Sequence, residues 1–350
     1  MRSVAILIVC FEHGTGLLSN SVFINFPYLP NIDGVNLFFV LSGFLIGGIL
    51  LKQIRNKKKF GLKELALFWK RRWFRTLPNY YLFLLINYLL VYFHIITRFV
   101  DSKYFSLRFF VFMQNFSKGF MYFFWESWSL SVEEWFYVLC PLLLIIALKL
   151  LSPKKSFLLA SCMMILFSTI YRASIHSVTI DDFWYDQLFR RMVVTRLDSI
   201  GYGLIAAWVF VYFPEYWKKF KLPAAIAGII IITFLINHKS LITTLYSQVF
   251  YFTLWPVSIM LILPLAENVK KINLWATRFF EHISKISYSM YLVNALLIGI
   301  IRDNFLNSGN ILLCYLSFWI LLIFISTIIY QYFELPVTNF REIKFKQHIE

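Results

Sequence analysis

The chain has 350 residues, of which 59% are hydrophobic, 20% aromatic and only 15% charged, and its mean hydropathy is +0.68. This composition excludes an ordinary soluble protein and indicates a polytopic membrane protein. A net charge of +16 raises nucleic acid as a partner, but the basic residues lie between apolar runs, so we expect contact with membrane lipids and no nucleic-acid binding. The four cysteines lack zinc-site or disulfide spacing, and no metal site is predicted.

A helix that crosses a hydrocarbon core of about 30 Å needs roughly 20 mostly apolar residues. On this basis we predict an all-α bundle of about ten membrane-spanning helices, forming a single domain over residues 1–350 with no appended soluble domain. The first span carries Glu12 and His13, which a cleaved signal peptide has no reason to carry, so we expect it to be retained. The predicted spans are 3–18, 35–51, 77–97, 136–151, 156–171, 200–213, 222–237, 246–265, 286–301 and 311–332.

The distribution of charge predicts the orientation, because Lys and Arg near span ends stay on the cytoplasmic side. One set of alternate loops, together with both chain ends, carries 24 of the 34 basic residues, ten of them within residues 52–75. The opposite loops carry ten basic and ten acidic residues. Both termini are therefore predicted to be cytoplasmic. Residues 104–116 are apolar but interrupted by Arg108 and Gln114, so we predict a re-entrant or interfacial segment there.

The first helix carries ionisable residues at membrane depth, which are costly and therefore candidates for function. Arg2 and His13 are eleven residues apart, so they share one helical face about 16 Å apart along the axis. A histidine can take a proton near neutral pH and return it, as a general base must. The structural alternatives are a positive-inside anchor for Arg2 and an interhelical hydrogen bond for His13. Glu12 points about 100° away from His13, so it is a candidate to pair with another helix.

The segment WESWSLSVEEWFYVLCP, residues 125–141, offers two interpretations. Ser131 and Glu134 have the spacing of a capping box that would open the fourth span. Ser129 and Glu133 share a helical face if that helix begins earlier. Glu133 is then a candidate to orient or charge-balance an imidazole.

The segment FWKRRWFRTLPNYY, residues 68–81, ends a strongly basic stretch. Arg72 and Arg75 lie on one face of any helix that ends before Pro78, with Arg71 beside them. Guanidinium groups bind phosphate oxygens in a bidentate manner, so these three arginines are candidate coenzyme ligands. Attraction to anionic lipid is the alternative.

Two further segments contain small or paired polar residues. In residues 31–50, the pattern Gly43-x-x-x-Gly47 favours close helix packing, and the neighbouring Ser42 is a candidate coenzyme contact. In VVTRLDSIGYG, Arg196 and Asp198 cannot share a helical face, so we expect each to pair elsewhere.

In combination, seven segments resemble the membrane acyltransferase-3 family, the bacterial transmembrane acyl-CoA-dependent acyltransferases. The resemblance extends from Arg2 to Arg341. It implies a ten-helix bundle of the bacterial inner membrane that moves an acyl group, with acetyl expected, from acyl-CoA to a hydroxyl of an envelope glycan or lipid-linked sugar. No permanently bound cofactor is implied. The segments are Arg2-x10-His13, GVNLFFVLSGFLIGG, RRWFR, SWSLSVEEWFY, TRLDSIGYG, SKISYSMYLVN and YFELP.

The resemblance also implies roles for individual residues. His13 corresponds to the family's essential histidine and Arg2 to its arginine partner, while Arg72 and Arg75 match the arginine motif that faces the coenzyme. Where the family usually has aspartate, glutamine and histidine, this chain differs, which weakens any role for those positions. The three departures are Asn36, Trp135 and Asn294.

We therefore expect the pantetheine arm to reach towards His13, with Glu133 or Glu12 stabilising the imidazolium. Direct transfer and a covalent acyl-enzyme are both compatible with these residues. An alternative function is a transporter or flippase for a lipid-linked saccharide, although the repeated halves typical of transporters are missing from the sequence. A structural partner in glycan synthesis is a third hypothesis.

Overall fold

A computed structural model of the chain describes residues 1–18, 33–56, 60–97, 100–119, 123–238, 240–267, 273–305 and 310–346. Within these ranges the fold is entirely helical, which confirms the predicted class. The basic residues at 57–59 and 270–271, which contributed to the predicted charge asymmetry, lie outside the described residues. The α-helices of the described residues are α1 Arg2–Thr15, α2 Gly34–Asn56, α3 Leu62–Tyr92, α4 Ser127–Ala147, α5 Pro153–Ser174, α6 Asp182–Tyr185, α7 Leu197–Tyr212, α8 Pro214–Lys219, α9 Lys221–Asn237, α10 Tyr251–Glu267, α11 Leu274–Asn304, α12 Ile311–Ile329 and α13 Leu335–Lys346.

Six helical segments of the described residues are long and apolar enough to cross a membrane. The helices α7 and α9 are shorter and apolar, while α1 and the second half of α3 occupy the two remaining predicted spans. Each predicted span is thus helical over most of its length. The six long segments are Gly34–Arg55, Ser127–Ala147, Pro153–Ser174, Tyr246–Glu267, Leu274–Asn304 and Ile311–Phe340.

The outer surface of the bundle is apolar. On α12, Leu313, Ile320 and Phe324 are 63%, 69% and 61% exposed and lie along one side of the helix. An exposed apolar stripe of this kind is unfavourable in water and favourable in hydrocarbon. The fold therefore suits a membrane protein, as the composition predicted.

Glycines set the close crossing of α2 and α7. A Cβ atom on Gly43 would lie 2.1 Å from the carbonyl oxygen of Ile200, and one on Gly203 would lie 2.2 Å from that of Val40. Gly47 faces Ala207 in the same interface. The prediction that the Gly43-x-x-x-Gly47 pattern packs helices is confirmed, because a larger side chain at Gly43 would force the two backbones apart.

A buried polar network fixes α7 to its neighbours. Asp198 pairs with Arg172 of α5 at 2.6 Å, and both side chains are fully buried. Arg196 donates to the side-chain oxygen of Asn36 and, at 3.3 Å, to Ser199. Arg196 and Asp198 thus have separate partners, as predicted, and Asn36 has a structural role that its departure from the family pattern did not suggest.

The predicted capping box at the start of α4 is wrong. The helix begins at Ser127, so Ser131 lies inside it and donates to the Ser127 carbonyl at 2.9 Å. Glu134 instead accepts from Thr76 of α3 at 2.7 Å. Serine hydroxyls can bond to carbonyls in the preceding turn, and this lets the SWSLS segment remain helical in a protein interior.

The helix that carries Arg72 and Arg75 does not end before Pro78, contrary to expectation. Instead α3 continues through the proline to Tyr92. Helices in membranes tolerate proline where neighbouring groups take up the freed backbone positions. Pro78 frees the carbonyl of Phe74, and two residues further along the Thr76 carbonyl accepts from Tyr288 of α11 at 2.9 Å, which ties α3 to α11. The arginine motif and the predicted third span therefore form one continuous helix.

Residues 104–116 contain a short 3-10 helix, Leu107–Val111, and no α-helix. Tyr80 and Tyr81 of α3 donate to the carbonyls of Phe109 and Phe110, each at 2.8 Å. Trp135 of α4 donates to the Phe112 carbonyl at 2.9 Å. The segment packs across α3 and α4, which agrees with the prediction that it does not cross the membrane as a helix.

Candidate active site

Helices α1, α2, α3, α4 and α11 surround a cavity of about 120 Å³, here called the arginine cavity. Arg2, Arg72 and Arg75 line it, and Glu133 is the one carboxylate that the described part of the chain contributes to its lining. Three guanidinium groups against one carboxylate give a positively charged site that suits phosphate oxygens. The structure thus brings together residues that the sequence placed on three separate segments.

Hydrogen bonds connect the polar residues on one wall of the arginine cavity. The Tyr137 hydroxyl donates to Glu133 at 3.2 Å and lies 3.4 Å from the Ser42 hydroxyl. Ser129 lies on the same face of α4 as Glu133, which confirms the interpretation based on an early helix start. Arg71 is exposed and is absent from the cavity lining, so it stands apart from the other predicted coenzyme ligands.

A second cavity of about 280 Å³, here called the histidine cavity, lies next to the first. The two linings share Val35 and Tyr291, and no other described residue appears in both. His13 lines the histidine cavity, whereas Arg2 lines the arginine cavity, so the two ends of α1 serve different spaces. The polar and aromatic residues of the histidine cavity are His13, Trp125, Glu126, Trp128, Arg190, Arg191, Tyr291 and Arg302.

The partner of His13 is Asn294 of α11. His13 Nδ1 lies 2.5 Å from Asn294 Oδ1. The Asn294 Nδ2 group donates to the carbonyls of Met290 and Tyr291, at 3.2 and 2.5 Å. Because the amide nitrogen is used in this way, its oxygen must face His13, and Nδ1 must carry a hydrogen to donate to it. Neutral His13 therefore holds its free lone pair on Nε2, the ring atom that is able to accept a proton.

Among the described residues, His13 makes no hydrogen bond or ion pair with Glu133 or Glu12, the two carboxylates predicted to stabilise it, and their role stays a prediction. Glu133 lines the arginine cavity and not the histidine cavity that His13 lines. Glu12 pairs with Arg190 at 3.5 Å. Consecutive side chains on a helix point about 100° apart, so Glu12 turns away from the direction of His13. The side-chain contact that the structure shows for the imidazole ring is with the neutral amide of Asn294.

Glu126, immediately before α4, connects the histidine cavity to α11. Its carboxyl group accepts from the Ala295 backbone N–H at 3.0 Å. Burial raises the pKa of Glu126 to about 8, since the charged form loses its hydration. The Arg191 guanidinium lies over the ring of the preceding Trp125, 4.5 Å from the ring centre. Arg191 also pairs with Asp186 at 2.5 Å. Aromatic faces and fixed charges of this kind can hold a polar acceptor molecule.

Sequence reasoning missed three residues that the structure places at the site: Asn294, Tyr291 and Glu126. Two of them lie in SKISYSMYLVN, which carried the family resemblance, but no polar spacing singled them out. Asn294 was set aside because it replaces a histidine. An asparagine oxygen is nevertheless an acceptor for the imidazole N–H, as the neutral nitrogen of a second imidazole would be.

Comparison with known proteins identifies the class. The model of the acyltransferase-3 family, described as an acyltransferase domain, matches residues 1–333. The chain belongs to this family, as the seven motifs predicted.

Curated relatives make the comparison more specific. A Staphylococcus aureus (strain COL) protein named "Putative O-acetyltransferase SACOL0978" is 25% identical over 87% of this chain and 52% of its own length. The peptidoglycan O-acetyltransferase OatA of Listeria monocytogenes serovar 1/2a is 29% identical over 43% of this chain and 24% of its own length. The chain thus spans about half the length of the S. aureus relative. No solved structure gives a significant match. These comparisons lend no support to the flippase alternative.

Proposed function

We propose that this chain is a membrane O-acyltransferase that moves an acyl group, with acetyl the first to test, from acyl-CoA to a hydroxyl of an envelope glycan. The observation that carries the proposal is the contact between two unlike cavities, one lined by three arginines and the other by His13. Membership of the acyltransferase-3 family supports the reaction class. The names of the relatives support O-acetyl transfer.

The arginine cavity takes the coenzyme. Arg72 and Arg75 project from α3 and Arg2 from the start of α1, so their guanidinium groups converge on the coenzyme's phosphates from two directions. The cavity volume, about 120 Å³, is below the roughly 300–1,000 Å³ of sites that bury a whole drug-sized ligand. The pantetheine arm therefore occupies the cavity and the adenosine lies outside it.

The reaction takes place where the cavities meet. The acceptor hydroxyl in the histidine cavity gives its proton to His13 Nε2, and its oxygen attacks the thioester carbonyl. The carbon–sulfur bond breaks, and the coenzyme thiolate takes the proton back from His13. Asn294 accepts from Nδ1 throughout, which holds the productive tautomer and stabilises the imidazolium.

The charge distribution supports a direction for the reaction. With ten crossings and both termini cytoplasmic, Arg2 and the basic residues of 52–75 lie at the cytoplasmic face of a bacterial inner membrane, where acyl-CoA is made. The histidine cavity then opens towards the envelope. Peptidoglycan is the first acceptor to test, because one relative bears the name of a peptidoglycan O-acetyltransferase.

Mass spectrometry of envelope glycans tests this function. Cells would express the native chain, His13→Ala, or His282→Ala at matched membrane abundance. His282 bonds to Thr327 at 3.1 Å and lines neither cavity, so it is a matched control. We expect an acyl mass increment with the native chain and His282→Ala and none with His13→Ala. An increment that persists in His13→Ala contradicts the role of His13, and no increment in any sample contradicts transferase activity.

A further inference from the structure

Tyr291 of α11 lies at the boundary between the arginine cavity and the histidine cavity. It lines both, and only 6% of its surface is exposed. Val35 is the other shared residue of the described chain, and its side chain is much smaller. Tyr291 is thus the larger of the two side chains that lie between the arginine cavity and the histidine cavity.

Three helices hold the ring in place. The Tyr291 hydroxyl donates to the Glu126 carbonyl at 3.1 Å and lies 2.6 Å from the Ser129 hydroxyl. The second contact joins two hydroxyl groups, and Ser129 also lies 3.5 Å from the Glu126 carbonyl as a donor. Phe38 of α2 packs edge-on against the ring with centroids 6.4 Å apart. The ring is therefore tied to α4 and packed against α2 while it stands on α11.

We propose that Tyr291 is a partition that closes the arginine cavity to solvent from the histidine side. It is a positioning residue for the reaction, an extension that rests on the proposed function. Water in the histidine cavity could otherwise attack the thioester, with the acyl carbon–oxygen bond formed and the carbon–sulfur bond broken, giving free carboxylic acid and coenzyme thiol. The ring restricts the thioester carbonyl to a narrow gap beside Val35, where the acceptor hydroxyl meets it.

Cysteine accessibility tests the partition without any need for catalysis. Ser42 lines only the arginine cavity, and Ser42→Cys changes one atom. Cys162 is partly exposed and would be replaced by serine throughout, whereas Cys10, Cys140 and Cys314 are buried. Right-side-out and inverted vesicles would be treated with a sulfonated methanethiosulfonate, which does not cross membranes.

With native Tyr291 we expect Ser42→Cys to react from one side of the membrane only. Tyr291→Ala should make it reactive from both sides, with at least a tenfold faster reaction from the second side. Tyr291→Phe keeps the ring and should stay one-sided. Ile46→Ala enlarges the arginine cavity away from the boundary, so it should also stay one-sided.

Two results overturn the partition: reaction from both sides with native Tyr291, or one-sided reaction in Tyr291→Ala. Unchanged labelling from the first side, together with a single peak in size-exclusion chromatography, shows that each variant is folded.

A second measurement separates the partition from the proposed function. Coenzyme thiol released from acetyl-CoA without acceptor should rise at least fivefold in Tyr291→Ala and stay at the native level in Tyr185→Ala, since Tyr185 donates to the Ser247 carbonyl at 2.9 Å and lines neither cavity. If Tyr291→Ala is labelled from both sides but releases no thiol, the partition hypothesis is supported and the proposed role of acyl-CoA is contradicted. Thiol release that rises equally in both variants contradicts the positioning role of Tyr291.

Discussion

Replacing Asn294 by Leu tests the proposed catalytic role of its hydrogen bond to His13. The substitution keeps the size of the side chain and removes the acceptor that lies 2.5 Å from His13 Nδ1. A buried hydrogen bond left without its acceptor costs about 1–3 kcal/mol. The bond strengthens as His13 becomes positively charged, so this cost falls on the transition state and lowers kcat by about 5- to 150-fold. The KM for acetyl-CoA should stay within about twofold, because the arginine cavity is untouched.

The assay would supply radiolabelled acetyl-CoA and soluble muropeptides to detergent-solubilised protein and count base-labile acetyl groups on the glycan. Asn294→Asp retains an acceptor oxygen and should recover at least a third of the native kcat. Asn87→Leu is the control, since Asn87 is a buried asparagine that donates to the Phe123 carbonyl at 3.0 Å and lines neither cavity. If Asn294→Leu keeps the native kcat, or if Asn87→Leu loses as much, the hydrogen bond to His13 has no catalytic role.

Three further predictions concern the arginine cavity, the crossing of α2 and α7, and the buried carboxyl group of Glu126. Arg72→Gln with Arg75→Gln should raise the KM for acetyl-CoA about 10- to 100-fold through lost charge-assisted bonds, while Arg71→Gln changes it less than twofold. Gly43→Ala should lower stability by about 1–3 kcal/mol, seen as a lower melting temperature, whereas Gly48→Ala, which meets nothing within 4 Å, should not. Folded Glu126 holds its proton up to about pH 8, whereas the unfolded chain releases it near pH 4.5. The native chain should therefore lose stability relative to Glu126→Gln as pH rises from about 4.5 to 8. Equal melting curves of the two proteins across that range would contradict this prediction.

The helices were predictable because the signal that defines them is long. An apolar run needs only hydropathy and length to indicate a span, and each predicted span is helical over most of its length. Helix ends were less predictable, as α4 shows by starting at Ser127 and α11 by starting at Leu274. Both extensions carry polar residues whose partners lie on other helices, such as Ser129 with Tyr291. Hydropathy along one segment holds no information about such contacts.

The site was predictable only where the residue type dictates the chemistry. Arginine at the end of an apolar span has few interpretations, and Arg2, Arg72 and Arg75 do line one cavity. Pairings between helices had no such signal. His13 and Asn294 are 281 residues apart, and nothing in the sequence favoured an amide over the carboxylates of Glu12 and Glu133 as the histidine's partner.

The geometry of α1 restricts how acyl transfer can proceed. Arg2 and His13 are about 16 Å apart on one rigid helix. A Cβ on Gly34 would lie 2.7 Å from Val9, and one on Gly14 would lie 2.9 Å from Phe318, so α1 is packed closely against α2 and α12. The separation between the phosphate site and the base is therefore constant during the reaction. In the proposed reaction the thioester covers this separation by the reach of the pantetheine arm and meets the acceptor in the gap beside Val35, without movement of helices.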